Sequence, residues 1–317
     1  MNGKLISTVS SIFLIIGIFI NAACAKNNDE ITYSPNWVIG DSASYMLVQK
    51  STKANYFVTS HVNLKVIEKT KSGYVLEWKI GDVERSPEYK KLHMETRTIL
   101  DTATKISTGQ VVRYRTDNNG VFQEIVNIDE IRNSANRSLE IFINGLPEGP
   151  DKEKYKDVIQ KMMQDDSIIK NPSNELASLH SDFICGRTFH IGQTYSAEVQ
   201  TPNMFDASVP FEGTISIMAS HDGNVTTYRI NSIFDKEKTI KGISSMLRKL
   251  SGTKLSDSKL KEFEQAVQCL ELVDSYNITI LDGENWLEQC SFERKATIQG
   301  KTVTETFILI REREETN

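Results

Sequence analysis

The stretch VNLKVIEKTKSGYVLEWKI, residues 62–80, decides the fold class. Apolar residues alternate with polar ones from Val62 to Val66, and the same alternation runs from Tyr74 to Ile80. A period of two is typical of half-buried strands, and the Lys-Ser-Gly at 71–73 between them predicts a hairpin turn. The stretch therefore predicts an antiparallel sheet with one apolar and aromatic face.

The same alternation recurs along most of the chain. It predicts further strands at 110–116, 121–126, 213–219, 225–233, 276–280, 286–292 and 303–310. Helical spacing of apolar residues predicts helices from residue 128 onward, at 155–163, at 176–183, at 243–250 and at 260–270. The helical insert at 127–184 separates two β-rich regions, so the fold class is α+β and predominantly antiparallel β.

The two β-rich regions begin alike. Trp37 stands three residues before Gly40 at the start of the first region, and Phe189 stands three residues before Gly192 at the start of the second. A mature length of about 290 residues also lies where single hydrophobic cores stop growing. We therefore expect two similar lobes with helical segments packed on them. The expected boundaries are a signal at 1–25, a tether at 26–36, a first lobe with its following helix at 37–150, a helical connector at 151–186 and a second lobe at 187–317.

The first 25 residues predict export. Lys4 is followed by an apolar run from Ile12 to Ile20 and then by Ala-Ala-Cys-Ala, which is the layout of a secretory signal peptide. The run is much shorter than the roughly 20 residues that a membrane-spanning helix needs. The signal ends either by cleavage after Ala25 or, as we favour, as a lipobox in which Cys24 is lipidated. Asn21 departs from the usual lipobox pattern.

Composition excludes some classes of function. The chain has 317 residues, 25% of them charged, with a net charge of −5, which is ordinary globular composition. Without an excess of cations, the chain has little to neutralise a phosphate backbone. We therefore expect no nucleic-acid partner.

Three cysteines remain besides Cys24, an odd number in a compartment that permits disulfides. Cys269 and Cys290 form the candidate disulfide, because one follows a helical pattern and the other lies in a strand pattern shortly after. The alternative, which we favour, is that Cys185, Cys269 and Cys290 are all buried thiols.

No catalytic or cofactor motif occurs in the sequence. His180, Cys185 and His190 are the one cluster with the character of metal ligands, but their spacing matches no common zinc motif. We therefore assign no catalytic residue, no metal and no cofactor.

An apolar and aromatic stripe remains. It has two interpretations: its residues pack a sheet against the helices of the insert, or they line an apolar cavity for a lipid-like ligand. The candidate lining residues are Tyr74, Leu76, Trp78, Ile80, Tyr228, Ile230, Tyr276 and Ile278.

The signal ending in Cys24, the Gly40-Asp41 strand entry and the Asp-Asn-Asn-Gly at 117–120 before a strand and a helix together resemble uncharacterised envelope lipoproteins of Gram-negative bacteria. In outline the chain is similar to the LolA/LppX-like half-barrels. The resemblance implies that each lobe is a highly curved antiparallel sheet wrapped around helices, able to hold acyl chains. It assigns no ligand-binding residue, since no position matches a defined motif.

The expected function is that of a non-enzymatic exported lipoprotein of the cell envelope, anchored to a membrane by its N-terminal lipid. It would bind a hydrophobic small molecule on a curved sheet. The alternative is a protein-interaction or structural module of the envelope, and a hydrolase is a weaker third hypothesis. The expected location is the outer membrane, with the periplasm or secretion as alternatives.

Overall fold

A computed structural model describes residues 30–52, 56–94, 97, 101, 104, 108–145, 174–201, 211–251 and 257–313. The predicted signal, the lipidation site Cys24 and the predicted helix at 155–163 lie outside these residues. Most of the other predicted strands and helices are present, with ends that differ by a few residues.

The described chain includes thirteen strands and four α-helices with defined bounds, and residues 94, 97, 101 and 104 are helical as well. The strands are β1 (Glu30–Thr32), β2 (Ser42–Ser51), β3 (Tyr56–Lys69), β4 (Gly73–Arg85), β5 (Val111–Asp117), β6 (Phe122–Ile125), β7 (Thr188–His190), β8 (Thr194–Thr201), β9 (Phe211–Asp222), β10 (Val225–Phe234), β11 (Glu271–Leu281), β12 (Gln289–Ile298) and β13 (Lys301–Glu312). The helices are α1 (Ile128–Gly145), α2 (Asn174–Leu179), α3 (Lys236–Ser251) and α4 (Asp257–Ala266), and a 3₁₀ turn spans Pro87–Lys91.

Eleven strands form one continuous antiparallel sheet. Its order is β6-β5-β4-β3-β2-β13-β12-β11-β10-β9-β8, and β1 pairs with β7 in a separate two-stranded sheet. Every neighbouring pair in the large sheet is antiparallel, which confirms the predicted antiparallel β-rich class.

The two β-rich regions of the sequence do not form separate sheets, so the expectation of two lobes is not confirmed. The last strand, β13, pairs with β2 from Ser44↔Glu312 to Ser51↔Glu305. This pairing joins the regions 37–150 and 187–317 by backbone hydrogen bonds. The physical reason is that two separate sheets would each leave an exposed edge at this place, and the pairing satisfies both edges.

The repeated strand entries do share one local geometry. Gly40 and Gly192 both have positive φ angles, of 99° and 76°. Gly40 donates its N–H to the carbonyl oxygen of Val66 at 2.9 Å, and Gly192 donates to that of Ala219 at 2.8 Å. Each Gly is the third residue of a four-residue turn leading into its strand, a place where a left-handed backbone favours glycine.

The sheet is strongly curled. Phe122 of β6 and Ile230 of β10 line the same cavity of about 100 Å³, although eight strand spacings separate β6 from β10. In a flat sheet, at about 4.8 Å per spacing, these strands would lie about 38 Å apart. The sheet therefore bends until its two ends approach each other, while β6 and β8 remain its open edges.

The inside of the curl is filled by three connecting segments, at 33–37, 174–190 and 284–287. Trp37 is buried there, with its ring centroid 4.9 Å from that of Trp286 and 5.2 Å from that of Tyr74. Trp286 was expected to start a strand at 286–292. Instead β12 begins at Gln289, and Trp286 lies buried in the bend that precedes it.

The antiparallel order also defines two rims of the sheet. Since β2 and β8 are six places apart, they run in the same direction and start at one rim, which we call the entry rim. The hairpin at 70–72 and the end of β13 at Glu312 lie on it as well. Strand β10 runs away from it and ends at Phe234 on the opposite rim, which we call the far rim. In the described part of the chain, no helix is long and apolar enough to span a membrane.

Candidate functional site

A partly enclosed cavity of about 100 Å³ lies between α2 with the loop after it and the two approaching ends of the sheet. Strands β6, β10 and β11 provide most of its apolar wall. Helix α2 and the following loop provide the opposite wall, which carries small and polar side chains. The lining residues are Val121, Phe122, Ala177, Ser178, His180, Ser181, Asp182, Phe183, Ile230, Tyr276 and Ile278.

The period-two pattern of the strands explains why the sheet wall is apolar. Tyr276 and Ile278 on β11 are two residues apart and therefore point to the same face. Tyr228 pairs with Ile278, and Ile230 pairs with Tyr276, on the neighbouring strand β10. The inward residues of two adjacent strands thus form one continuous apolar surface toward the cavity.

His180 forms the polar corner of the cavity. Its Nδ1 donates to the carbonyl oxygen of Gly120 at 2.9 Å, and its Nε2 accepts a hydrogen bond from the hydroxyl group of Tyr114 at 2.7 Å. Burial lowers the pKa of His180 from 6.5 to about 4, against the opposing effect of the Gly120 carbonyl. The imidazole is therefore neutral at pH 7, with its proton on Nδ1.

Asp182 is the one carboxyl group that lines the cavity. Partial burial raises its pKa above the usual value, while the nearby Arg187 lowers it. The guanidinium of Arg187 donates from Nε to the backbone carbonyl oxygen of Asp182. The loop after α2 is thus held by its own charged residues, and Asp182 marks the polar mouth of the site.

One step further along the same face, Asp274 on β11 pairs with Arg294 on β12. Two parallel hydrogen bonds of 2.7 Å join the guanidinium to the carboxylate, and Asp274 is buried. This bidentate pair lies beside the Tyr276 and Phe292 rings, which are 4.8 Å apart. The inner face therefore changes from apolar to charged beyond Tyr276.

The eight residues of the predicted stripe all belong to the interior of the sheet. Ile230, Tyr276 and Ile278 line the cavity. Tyr74, Leu76, Trp78 and Tyr228 lie in the packed core, and Ile80 is partly buried against it. The stripe is therefore divided between a packed region and a cavity-lining region near α2.

Sequence patterns missed the other wall of the cavity. Phe122 was predicted to lie in a strand, and residues 176–183 were predicted to be helical, but no local signal places them opposite β10 and β11. His180 carried one usable signal, since a histidine on the apolar side of a helical pattern has a buried position and needs hydrogen-bond partners.

The three described cysteines are free thiols, and Cys269 is not joined to Cys290. Cys290 points into the core from β12, whereas Cys269 is exposed after α4, so the candidate disulfide does not form. Cys185 is buried as well, and burial raises its pKa well above the usual value. A thiol that stays protonated is a poor nucleophile.

The His180, Cys185 and His190 cluster does not converge on one point. Both ring nitrogens of His180 are already hydrogen-bonded, and His190 lies 3.6 Å from Glu30 at the entry rim. Among the described residues, no group of three or more His, Cys, Asp or Glu side chains is arranged to hold a metal ion.

Comparisons with known proteins add a weak structural similarity. No family model matches the chain, and no curated protein matches it. A solved structure described as lipid–protein interactions in lipovitellin is 12% identical, with a TM-score of 0.40, over 88% of this chain and 26% of that chain. This chain thus spans about a quarter of the length of that lipovitellin chain.

Proposed function

We propose that this chain is a non-enzymatic exported protein of a bacterial envelope, similar in outline to the LolA/LppX-like proteins, that binds the apolar part of a small ligand in the cavity beside α2. Its membrane anchor is the lipidated Cys24. The observation that carries the ligand site is the cavity itself, which the curl of the sheet leaves between β6 and the β10–β11 pair.

The size of the cavity limits the ligand. Pockets that enclose a drug-sized molecule have volumes of roughly 300 to 1,000 Å³, whereas this cavity has about 100 Å³. It is closer to the engineered apolar cavity of about 150 Å³ that binds benzene. The site therefore accepts one apolar group, such as the end of an acyl chain, and leaves the rest of the ligand at the Asp182 mouth.

Filling the cavity tests this assignment. Ala177 lines the site from α2, and Ala177→Leu places a larger apolar side chain in the space that the ligand would occupy. We expect an apolar compound in organic extracts of the purified wild-type protein, and its loss from the variant. Ala296→Leu is the matched control, because Ala296 lies on β12 away from the cavity.

Two results would contradict the ligand site. One is a wild-type extract without any stoichiometric apolar compound, together with no binding of an added polarity-sensitive fatty-acid probe. The other is an equal amount of compound in Ala177→Leu and in the wild type.

The anchor has its own test. Metabolic labelling with a fatty-acid analogue is expected to label the wild-type protein and to leave Cys24→Ala unlabelled. An unlabelled wild-type protein would exclude the lipoprotein assignment without affecting the ligand site.

A second candidate function, an interaction module of the envelope, is favoured by the open edge at β8. Thr194–Thr201 pairs with β9 on one side, and no other described strand pairs with its free side. Tyr195, Ala197 and Val199 along it are partly buried against the core, so an added strand would extend the apolar face. Crosslinking in intact cells tests this function, since an interaction module gives a stoichiometric protein adduct and a small-molecule carrier does not.

A further inference from the structure

The turn at 38–41 carries two exposed apolar side chains at the entry rim. Val38 is 57% exposed and Ile39 is 63% exposed, which places them among the most exposed large apolar residues of the described chain. We call these two side chains the apolar tip. The equivalent turn at 190–193 has the partly buried Ile191 in the place of Ile39.

The apolar tip stands on a rigid base. Val38 donates its N–H to Oδ2 of Asp41 at 2.9 Å, and Asp41 donates its N–H back to the carbonyl oxygen of Val38 at 3.1 Å. Gly40 donates its N–H to the carbonyl oxygen of Val66 on β3. Trp37, just before the turn, donates from its indole nitrogen to the carbonyl oxygen of Asn285 at 2.9 Å. Because these hydrogen bonds already hold the backbone of the turn, little conformational entropy is lost when Val38 and Ile39 enter an apolar medium.

The charges around the tip are compatible with a lipid surface. The exposed lysines of β3 and of the following hairpin are Lys65, Lys69 and Lys71, against the carboxylates Asp41 and Glu68. Lys69 reaches the carbonyl oxygen of Trp37 at 3.4 Å, next to the tip. Lys69 can therefore meet an anionic lipid headgroup beside the tip, and the carboxylates of the adjacent loop, Glu284 and Glu288, are paired with Arg311 and Arg313.

The chain that leads to Cys24 also arrives at this rim. Glu30 pairs with His190, which begins the second entry turn, so the first described residue lies at the entry rim. Cys24 precedes Glu30 by six residues, a length that spans at most about 21 Å. A lipid attached to Cys24 therefore holds the entry rim close to the membrane, and the far rim away from it.

We propose that the entry rim faces the membrane and that Val38 and Ile39 insert into the lipid interface, so that the protein has a fixed orientation on the bilayer surface. This inference rests on the membrane anchor proposed above. The partner is the lipid bilayer, and the long segments of the far rim, including α3 and α4, point away from it. Insertion of Val38 and Ile39 adds a second attachment to the one supplied by the acyl chains on Cys24. Stable membrane binding generally needs two such attachments.

Ile39 and Ile233 provide a matched pair for the test, because each is an isoleucine with 63% of its surface exposed. Ile39 lies at the entry rim, and Ile233 lies near the end of β10 at the far rim. Ile39→Cys and Ile233→Cys are made in the full chain with Cys269→Ser, which removes the exposed thiol and leaves Cys185 and Cys290 buried. Each variant is labelled with the environment-sensitive fluorophore NBD and reconstituted into vesicles of phosphatidylethanolamine and phosphatidylglycerol.

We expect the emission at position 39 to shift to shorter wavelength and to be quenched by nitroxide-labelled lipids, with neither change at position 233. Quenching at 233 that equals or exceeds that at 39 would overturn the orientation, and the absence of quenching at 39 would overturn the insertion. Mass spectrometry of the same sample reports whether Cys24 is acylated. Failure of the proposed anchor can therefore be told apart from failure of the proposed orientation. If Cys24 is unmodified, the labelled chain is made with Cys24→Ser and held on the vesicles by an N-terminal histidine tag and a nickel-chelating lipid, and an unchanged spectrum at position 39 then refutes the inference.

Discussion

Acid should destabilise this protein through His180, because the folded chain holds that imidazole neutral. Burial keeps its pKa at about 4, compared with the ordinary value of 6.5. At pH values above 6.5 the imidazole is neutral in both the folded and the unfolded chain, so the full stability is present. As the pH falls from 6.5 toward 4, the unfolded chain binds a proton that the folded chain does not, and stability is lost.

The size of the effect follows from the two pKa values. A difference from 6.5 to about 4 corresponds to about 3 kcal/mol of unfolding free energy, lost between pH 7 and pH values below 4. Urea unfolding at pH 7 and pH 4 measures this loss in the wild type and in His180→Gln. We expect the wild type to lose about 3 kcal/mol more on acidification than the variant does.

The control and an independent measurement make the test decisive. His93→Gln removes an exposed imidazole, so its loss of stability on acidification should match that of the wild type. An NMR titration of the wild type should also show His180 still as the neutral Nδ1–H tautomer at pH 5. Equal losses in His180→Gln and the wild type, or protonation of His180 near its ordinary pKa, would refute the reasoning.

Four further substitutions test hydrogen bonds and packing within the sheet, each by urea unfolding at pH 7. Tyr114→Phe removes the hydroxyl donor to His180 and leaves a buried acceptor unpaired, so we expect a loss of about 1 to 3 kcal/mol, and no loss would contradict the hydrogen bond. Asp274→Asn leaves the guanidinium of Arg294 without its bidentate partner, and we expect a loss of about 2 kcal/mol, whereas Arg294→Met leaves the buried Asp274 carboxylate without its cation and should cost more, about 3 to 5 kcal/mol. Gly73→Ala puts a Cβ atom 1.9 Å from a backbone carbonyl oxygen of β5 at a φ of +153°, so we expect a clear loss of stability, and a stability equal to that of the wild type would contradict the close approach of β4 and β5 at this residue.

Local patterns predicted the strands well, because each strand has one face toward the core and one toward solvent. Val62, Leu64 and Val66 are buried on β3, with exposed neighbours at positions 63 and 65. The alternation is a direct consequence of burial on one face, so it can be read without knowing which strand lies beside which. The positive φ of Gly40 and Gly192 follows in the same way from residues a few positions apart.

The start of α1 at Asn127 shows the limit of what local sequence patterns can predict. The spacing of Asn127 and Glu130 is that of a capping box, and the two side chains do hydrogen-bond at 3.1 Å. The side-chain oxygen of Asn127, however, accepts from the backbone N–H of Arg113 at 2.8 Å, and its amide donates to the carbonyl oxygen of Val111. The residue ties α1 to β5, because a neighbouring strand offered partners that no local pattern can reveal.

The amino-acid sequence decided that this chain is an antiparallel β-rich protein with helices inserted between its strands, since periodicity and turn residues act over a few positions. The tertiary structure decided that the two β-rich regions join through β13 and β2 into one curled sheet. It also decided that Phe122, His180 and Tyr276 line one cavity. Strand order and curvature depend on backbone hydrogen bonds and core packing between segments more than a hundred residues apart, and these interactions leave no periodic signal in either segment.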